Sequence, residues 1–204
     1  MKMNKTKYLV LVAILGTMAG IMMLLEFPLI FLAPEFYKLD LSEVVVMIGA
    51  FSLGPLAGII IELVKVIILY FARGTMTAGV GELASFLIGI SFILPASLIY
   101  HLHKTKRTAI IGLLVGSVIM VVSASILNVY ILLPAYGYAF GMTMDQFVAF
   151  GTAINANVNS LKMFILLCVV PFNIIKVILL STVVILIYKR VSPLLKAKDS
   201  YDEK

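Results

Sequence analysis

Six apolar segments follow one another along the chain, separated by shorter stretches that contain charged residues, glycine or proline. Most are long enough to cross the hydrocarbon core of a bilayer, which takes about 20 helical residues. The second is only about 20 Å long at a rise of about 1.5 Å per residue, which predicts that protein surrounds it or that the bilayer is thinned there. The predicted helices span approximately 8–25, 41–53, 55–72, 80–100, 108–133 and 161–188, with a charged cytoplasmic tail at 189–204.

This pattern predicts an all-α integral membrane protein with six transmembrane helices in a single membrane domain covering residues 1–204. Short polar signals accompany the helix starts. Asp40, with Glu43 three residues later, is typical of a capping box at the start of the second helix. The longest predicted connection, 134–160, contains Thr143 and Gln146 at the spacing that caps a short surface helix.

Composition supports the same class. Hydrophobic residues make up 62% of the chain and charged residues 13%, and the mean hydropathy is +1.14, far from the usage of soluble domains. The net charge of +6 does not indicate nucleic acid, because the basic residues fall where membrane topology would put them. With Cys168 as its one cysteine, the chain can form neither an intramolecular disulfide nor a cysteine-based metal site. His101 and His103 are predicted to lie in a solvated basic loop.

The distribution of basic residues predicts that both termini are cytoplasmic. An even number of crossings with the N-terminus inside puts 11 of the 16 Lys and Arg residues on the cytoplasmic side, as the positive-inside rule expects. They are Lys2, Lys5, Lys7, Lys104, Lys106, Arg107, Lys189, Arg190, Lys196, Lys198 and Lys204.

The last apolar segment carries polar residues at a depth where they are costly. Asn173 and Lys176 are three residues apart, so they share one face of a helix. An ionisable side chain within a span normally faces a bundle interior or a cavity, and Pro171 can kink the helix beside them. This face predicts a ligand site, although hydrogen bonding to a neighbouring helix would also account for it.

Further polar residues approach the same level in the six-span topology, which predicts one outward-facing pocket. The candidate substrate-binding residues are Asn128, Asn173, Lys176, Asp40, Glu82 and Lys65. Simpler interpretations remain open for some of them. Glu62 and Lys65 could neutralise one another at a spacing of three residues, and Asp40 and Glu82 could be carboxylates favoured by a helix N-terminus.

Two amides, an ammonium and abundant aromatic and aliphatic side chains suit a flat ring with an amide-like edge. A cation site would need converging carboxylates or carbonyls, and a phosphate site more positive charge. Catalysis is not expected, because the sequence has neither a His-Glu-x-x-His metal motif nor a phosphate-binding loop. The residues alone indicate a small, partly apolar, hydrogen-bonding organic ligand taken from outside.

Six short segments in this order resemble the riboflavin-specific substrate-binding S-components of energy-coupling-factor (ECF) transporters, over about residues 8–190. They are Glu26-Phe27-Pro28, Tyr37-Lys38-Leu39-Asp40-Leu41-Ser42-Glu43, Leu53-Gly54-Pro55-Leu56-Ala57-Gly58, Gly79-Val80-Gly81-Glu82-Leu83-Ala84, Ile126-Leu127-Asn128 with Leu132-Leu133-Pro134-Ala135-Tyr136, and Pro171-Phe172-Asn173-Ile174-Ile175-Lys176.

The resemblance implies a multi-pass prokaryotic cell-membrane protein that captures riboflavin from outside as a transported ligand, with no cofactor. It also implies partners: a membrane T-component and two cytoplasmic ATPase subunits. By motif, Asn128, Asn173 and Lys176 are expected to bond the flavin. Small residues on the first helix are expected to dock on the T-component. The candidates here are Ala13, Gly16, Thr17 and Gly20, none of them a literal Ala-x-x-x-Ala pair.

Two other functions stay open at this point. The chain could bind another vitamin of the same superfamily, such as thiamine or a pyridoxine-like ring, which identification of the released ligand would reveal. It could instead be a self-sufficient secondary transporter, which would take up substrate in vesicles that lack any ATPase, although no inverted repeat is evident in the sequence.

Overall fold

The computed structural model describes residues 4–75 and 77–201, and these residues are predominantly helical. Within them, five helical stretches are long and apolar enough to cross a membrane. They are Lys5–Met23, Pro55–Arg73, Val80–His103, Lys106–Phe140 and Leu161–Ile187. The predicted class of all-α integral membrane protein is therefore confirmed, while the count of six crossings and the orientation of the termini stay predictions.

The elements follow one another in a simple order along the chain. They are α1 (Lys5–Met23), β1 (Phe27–Pro28), β2 (Lys38–Leu39), α2 (Ser42–Leu53), α3 (Pro55–Arg73), α4 (Val80–His103), α5 (Lys106–Leu127), a first π-turn (Asn128–Leu132), α6 (Leu133–Phe140), α7 (Met144–Ile154), α8 (Leu161–Phe164), a second π-turn (Ile165–Val169) and α9 (Val170–Tyr201).

Three helices continue past the approximate ends predicted for the membrane crossings, although the last crossing itself, Leu161–Ile187, agrees with the prediction. α4 continues to His103, so His101 is helical and its Nε2 lies 3.0 Å from the carbonyl oxygen of Ala50. The helix predicted to end at 133 continues through the first π-turn to Phe140. The backbone predicted to leave the last span at 188 stays helical to Tyr201. Charged residues do not stop a helix whose backbone bonds are made internally.

Two capping predictions have different outcomes. Thr143 and Gln146 form the expected capping box at the start of α7, where the Thr143 amide donates to Gln146 Oε1 at 2.8 Å. The capping box predicted for α2 is wrong. Its N-cap is Leu41, the Asp40 carboxylate accepts from the Ser42 amide at 2.8 Å, and Glu43 turns inward instead of reaching back.

The connection between α1 and α2 folds into a small hairpin, a local exception to the all-helical prediction. Its two strands pair antiparallel, with Phe27 opposite Leu39 and Pro28 opposite Lys38. Strands this short are stable only when other contacts hold them. Here Leu39 is buried in a cluster with residues of α6, α7 and α9, so the hairpin lies against one end of the helical bundle.

The helices approach closely where small residues remove side-chain bulk. A Cβ atom on Gly16 of α1 would lie 2.5 Å from Cγ1 of Val64 in α3, and one on Gly112 of α5 would lie 2.5 Å from the Ala96 carbonyl oxygen in α4. α2, by contrast, is short and enclosed, with nine of its 12 residues buried. The prediction that protein surrounds this segment is confirmed.

Candidate functional site

A cavity opens at the end of the bundle against which the hairpin lies. It holds about 1020 Å³ of atom-free space including its open mouth, and it lies between the helices of a bundle, a common position for the site of a small organic ligand. Its walls come from the hairpin, the end of α3, the start of α4, the first π-turn and the first turns of α9. Most of its lining is apolar or aromatic, and a few polar groups converge on it.

Each π-turn brings an asparagine to the cavity. Asn128 begins the first π-turn, and Asn173 follows four residues after the end of the second. Both side chains are buried, and each amide nitrogen donates to the carbonyl oxygen four residues earlier, at 2.7 Å for Asn128 and 2.8 Å for Asn173. These bonds fix the direction of the amides, so that one N–H of each and the Asn173 oxygen stay available. π-turns within α-helices are frequent at functional sites.

Lys176 lies one helical turn beyond Asn173 and forms an ion pair with Asp40. The Nζ–Oδ2 distance is 3.4 Å, and both side chains are at least 90% buried. Burial alone would raise the pKa of the Asp40 carboxyl, but the nearby ammonium groups of Lys176 and Lys65 and the hydrogen bonds from Ser42 hold that pKa below its usual value. The carboxylate is therefore ionised at neutral pH, and the ammonium retains donors for a ligand.

Tyr37, at the end of the hairpin connection, donates a hydrogen bond from its hydroxyl to Asn128 Oδ1. Its ring lies 5.6 Å from that of Phe172 and 4.7 Å from that of Phe36, measured between centroids. Burial raises the pKa of the phenol well above its usual value, so the hydroxyl remains a proton donor at physiological pH. Tyr37 thus joins the aromatic wall of the cavity to its polar groups.

The mouth of the cavity is charged. The Glu26 carboxylate accepts from Lys38 at 2.8 Å and from Arg73 at the end of α3, which connects the hairpin to that helix. At the start of α4, the half-buried Glu82 accepts hydrogen bonds from Thr75 and from Thr77, the latter at 3.1 Å. The rim therefore carries two cations and two carboxylates, whereas the interior is mostly apolar.

Five of the six predicted substrate-binding residues line this cavity. They are Asn128, Asn173, Lys176, Asp40 and Glu82. Lys65 does not. Its ammonium is fully buried among α2, α3 and α4, 2.9 Å from Glu43 Oε1 and 2.6 Å from Glu62 Oε1, in the contact with Glu62 that the spacing of three residues allowed.

The four docking candidates on α1 fall into two pairs. Gly16 and Gly20 are buried against α3, where a Cβ atom would lie 2.5 Å from Val64 and 2.8 Å from Ile68 respectively. Ala13 and Thr17 lie on the exposed face, and the Thr17 hydroxyl donates to the Ala13 carbonyl at 2.9 Å. A partner helix could reach the second pair but not the first.

Sequence reasoning missed the cavity residues contributed by loops and rims. Tyr37, Glu26 and Arg73 all line it, yet none stands out as polar within an apolar run. An aromatic residue in a loop, such as Tyr37, carries no signal of its own. Glu43, taken as a capping residue, belongs to the buried cluster around Lys65 because its side chain turns toward α3.

Comparisons with known proteins agree over nearly the whole chain. Residues 7–188 match the model of the family described as ECF transporter, substrate-specific component. The chain is 36% identical over 196 residues to the riboflavin transporter RibU of Staphylococcus aureus (strain TCH60), covering 96% of each chain. It is 34% identical over 197 residues to the riboflavin transporter FmnP of Bacillus subtilis (strain 168), covering 96% of this chain and 97% of the relative.

A solved structure described as "Structure and mechanism of the S component of a bacterial ECF transporter" is similar in fold. It aligns with a TM-score of 0.75 and 34% sequence identity, over 95% of this chain and 99% of that chain.

Proposed function

The chain belongs to the substrate-specific components of ECF transporters, multi-pass proteins of the bacterial cell membrane, and from this premise we propose that it is the riboflavin-binding subunit of such a transporter. The observation that carries the proposal is the convergence of Asn128, Asn173 and Lys176 on one cavity with an aromatic wall. The two relatives that match almost end to end are riboflavin transporters by name, which supports this substrate over other vitamins.

The chemistry of the cavity suits a flavin ring. The imide edge of the ring presents two carbonyl acceptors and one N–H donor. The free amide hydrogens and the Lys176 ammonium can donate to those acceptors, and the Asn173 oxygen can accept from that donor. The aromatic rings of Tyr37 and Phe172 offer faces for offset stacking. The hydroxylated chain of riboflavin would then extend toward the charged mouth at Glu82 and Arg73.

We also propose how the protein is oriented in the membrane and which subunits it works with. Both termini lie in the cytoplasm, six crossings include the enclosed α2, and the cavity opens outward, in agreement with the positive-inside distribution of Lys and Arg. Energy for uptake comes from two cytoplasmic ATPase subunits through a membrane T-component. Ala13 and Thr17, the exposed small residues of α1, contribute to the surface that meets the T-component. The protein itself carries a ligand and is no enzyme.

Purification followed by identification of the bound molecule tests the proposal most directly. The protein, purified from cells grown with riboflavin, is expected to be yellow and to release riboflavin on denaturation, as identified by mass spectrometry. Release of thiamine, a pyridoxine-like ring or no vitamin at all would contradict it. FMN and FAD in the same extract would show whether larger flavins also enter.

Two substitutions test the site itself. Asn173→Ala and Lys176→Ala are each expected to weaken riboflavin binding by about 1–3 kcal/mol, the loss of a hydrogen bond to a neutral or charged partner, measured by quenching of flavin fluorescence. Asn159→Ala and Lys162→Ala are matched controls, because both residues are exposed and outside the cavity. Unchanged affinity in both cavity variants would place the site elsewhere.

A further inference from the structure

One helical turn beyond the cavity lies a second group of charged side chains, which the binding site does not use. Glu43 follows Asp40 by three residues, Lys65 precedes the cavity residue Leu69 by four, and the carboxylates pack against Gly89, four residues after the cavity residue Ser85. Glu43, Glu62 and Lys65 are each at least 99% buried. We call these three residues the inner cluster.

The inner cluster contains one more carboxylate than ammonium groups. Lys65 Nζ donates to Glu43 Oε1 at 2.9 Å and lies 2.6 Å from Glu62 Oε1. Nearby, Asp40 and Lys176 balance one another. Among the described residues, the neighbouring elements add no further charge there: α4 contributes Gly89, which packs against both carboxylates, and α1 has no acidic or basic side chain after Lys7. If all groups were ionised, one buried negative charge would have no counterion.

The oxygens of the cluster reveal the same imbalance. Oε2 of both Glu43 and Glu62 is buried without a hydrogen-bond partner in the described part of the chain, and Glu62 Oε1, although 2.6 Å from the Lys65 ammonium, does not meet it in hydrogen-bond geometry. Glu62 Oε1 and Glu43 Oε1 lie beside the same ammonium, 2.6 Å and 2.9 Å from Lys65 Nζ, and both pack against Gly89. Two buried carboxylates beside one ammonium repel each other, and a buried acceptor without a donor costs free energy, so a proton on one of the two carboxyl groups would remove the repulsion and supply a donor.

We propose that the inner cluster is a proton-binding site, in which Glu62 holds a proton at neutral pH and donates it to Glu43, while Lys65 neutralises the remaining negative charge. A metal cation fits less well, because the Lys65 ammonium occupies the space between the carboxylates and the closely packed backbone of Gly89 leaves no room for additional oxygen ligands. The site keeps the floor of the cavity electrically neutral. It does not depend on which molecule the cavity binds.

Infrared spectroscopy of the purified full-length protein in lipid nanodiscs tests this assignment. A carboxylic acid carbonyl band is expected at pH 7 that is absent from Glu62→Gln, because the amide replaces the acid, and from Glu43→Gln, because Glu62 then ionises beside Lys65. Glu26→Gln, which changes a carboxylate held by Lys38 and Arg73 at the mouth, is expected to retain the band. A parent protein without the band, or a band unchanged in both cluster variants, would overturn the proposal.

Thermal unfolding provides a second measurement that does not rely on the spectrum. Glu62→Gln is expected to unfold within a few degrees of the parent, because it replaces a neutral acid with a neutral amide of the same shape. The double variant Glu43→Gln with Glu62→Gln is expected to unfold at a much lower temperature, because it leaves the Lys65 ammonium buried without an anion. Equal losses in the single and double variants, or stabilisation of the parent by added sodium, would contradict a resident proton.

Discussion

Asp40 lines the binding cavity and is also the buried counterion of Lys176. Its carboxylate is held by Ser42 and faces Lys176 at 3.4 Å. Since its folded-state pKa is lowered, it contributes stability above the pKa of an unfolded aspartate, about 4. That contribution is lost as the pH falls through the folded-state value.

The corresponding prediction compares Asp40→Asn with the parent over a pH series. The variant is expected to unfold at a lower temperature at pH 7, because Lys176 loses its buried counterion, and to show a smaller further loss below about pH 4. The measurement is thermal unfolding in detergent without ligand. Asp145→Asn is the control, since Asp145 is exposed at the start of α7. Parallel pH profiles for Asp40→Asn and the parent would refute the role of this carboxylate.

Among single residues, the sequence reveals those whose polarity conflicts with their surroundings. Asn173 and Lys176 stand out because each lies within an apolar run, where burial of a polar group requires a reason. Tyr37 could not be found in that way, since a tyrosine in a loop conflicts with nothing. Lys65 stands out as strongly as Lys176, and only its neighbours in three dimensions show that it pairs with Glu43 and Glu62 instead of lining the cavity.

The second π-turn decides which way α9 presents its polar face. A π-turn accommodates one residue more than the α-helical path, so the same residues in an unbroken α-helix would turn α9 by about 100° relative to the preceding turn. Neither π-turn could be predicted from sequence, because the apolar pattern around each is the same as in an ordinary span. The positions of Asn128 and Asn173 depend on them.

Deletion of Leu166, an exposed residue of the second π-turn, is therefore expected to restore an α-helical turn and to leave riboflavin binding and membrane insertion intact, because α9 keeps its direction. The control is Leu166→Ala, which keeps the number of residues and is expected to bind normally. Binding by equilibrium dialysis and insertion by membrane fractionation give the two readouts. Loss of binding in the deletion variant, with normal binding by Leu166→Ala, would show that the π-turn contributes more to the direction of Asn173 than its one additional residue.

α1 presents two faces with different roles, and a pair of substitutions separates them. Gly16→Leu is expected to destabilise the fold by about 1–3 kcal/mol, because the added side chain meets Val64 of α3. Ala13→Leu is expected to leave unfolding and riboflavin binding unchanged but to reduce uptake by the assembled transporter. Uptake of labelled riboflavin in cells that express the partners measures the difference. Full uptake by Ala13→Leu would remove this face from the proposed docking surface.

For the whole molecule, the proposed topology can be tested with cysteine labelling, because Cys168, the one native cysteine, is buried and gives little background. Asn159→Cys, in the connection between α7 and α8, is expected to react with an impermeant thiol reagent in intact cells. Arg107→Cys, at the start of α5, is expected to react only after the cells are opened. The unsubstituted protein is the control. The opposite pattern would mean that the topology is inverted. Labelling of both introduced cysteines from the same side would exclude the proposed topology.

The enclosed α2 has a consequence for the depth at which cargo is held. At 12 residues it is about 18 Å long, which is less than the thickness of the hydrocarbon core, about 30 Å. Its start faces α3 near Lys65 and Leu69, before that helix ends at Arg73. A molecule that rests on Asp40 and Lys176 would therefore lie below the end of α3, and under the proposed topology part of the dielectric barrier of the membrane would already be behind it.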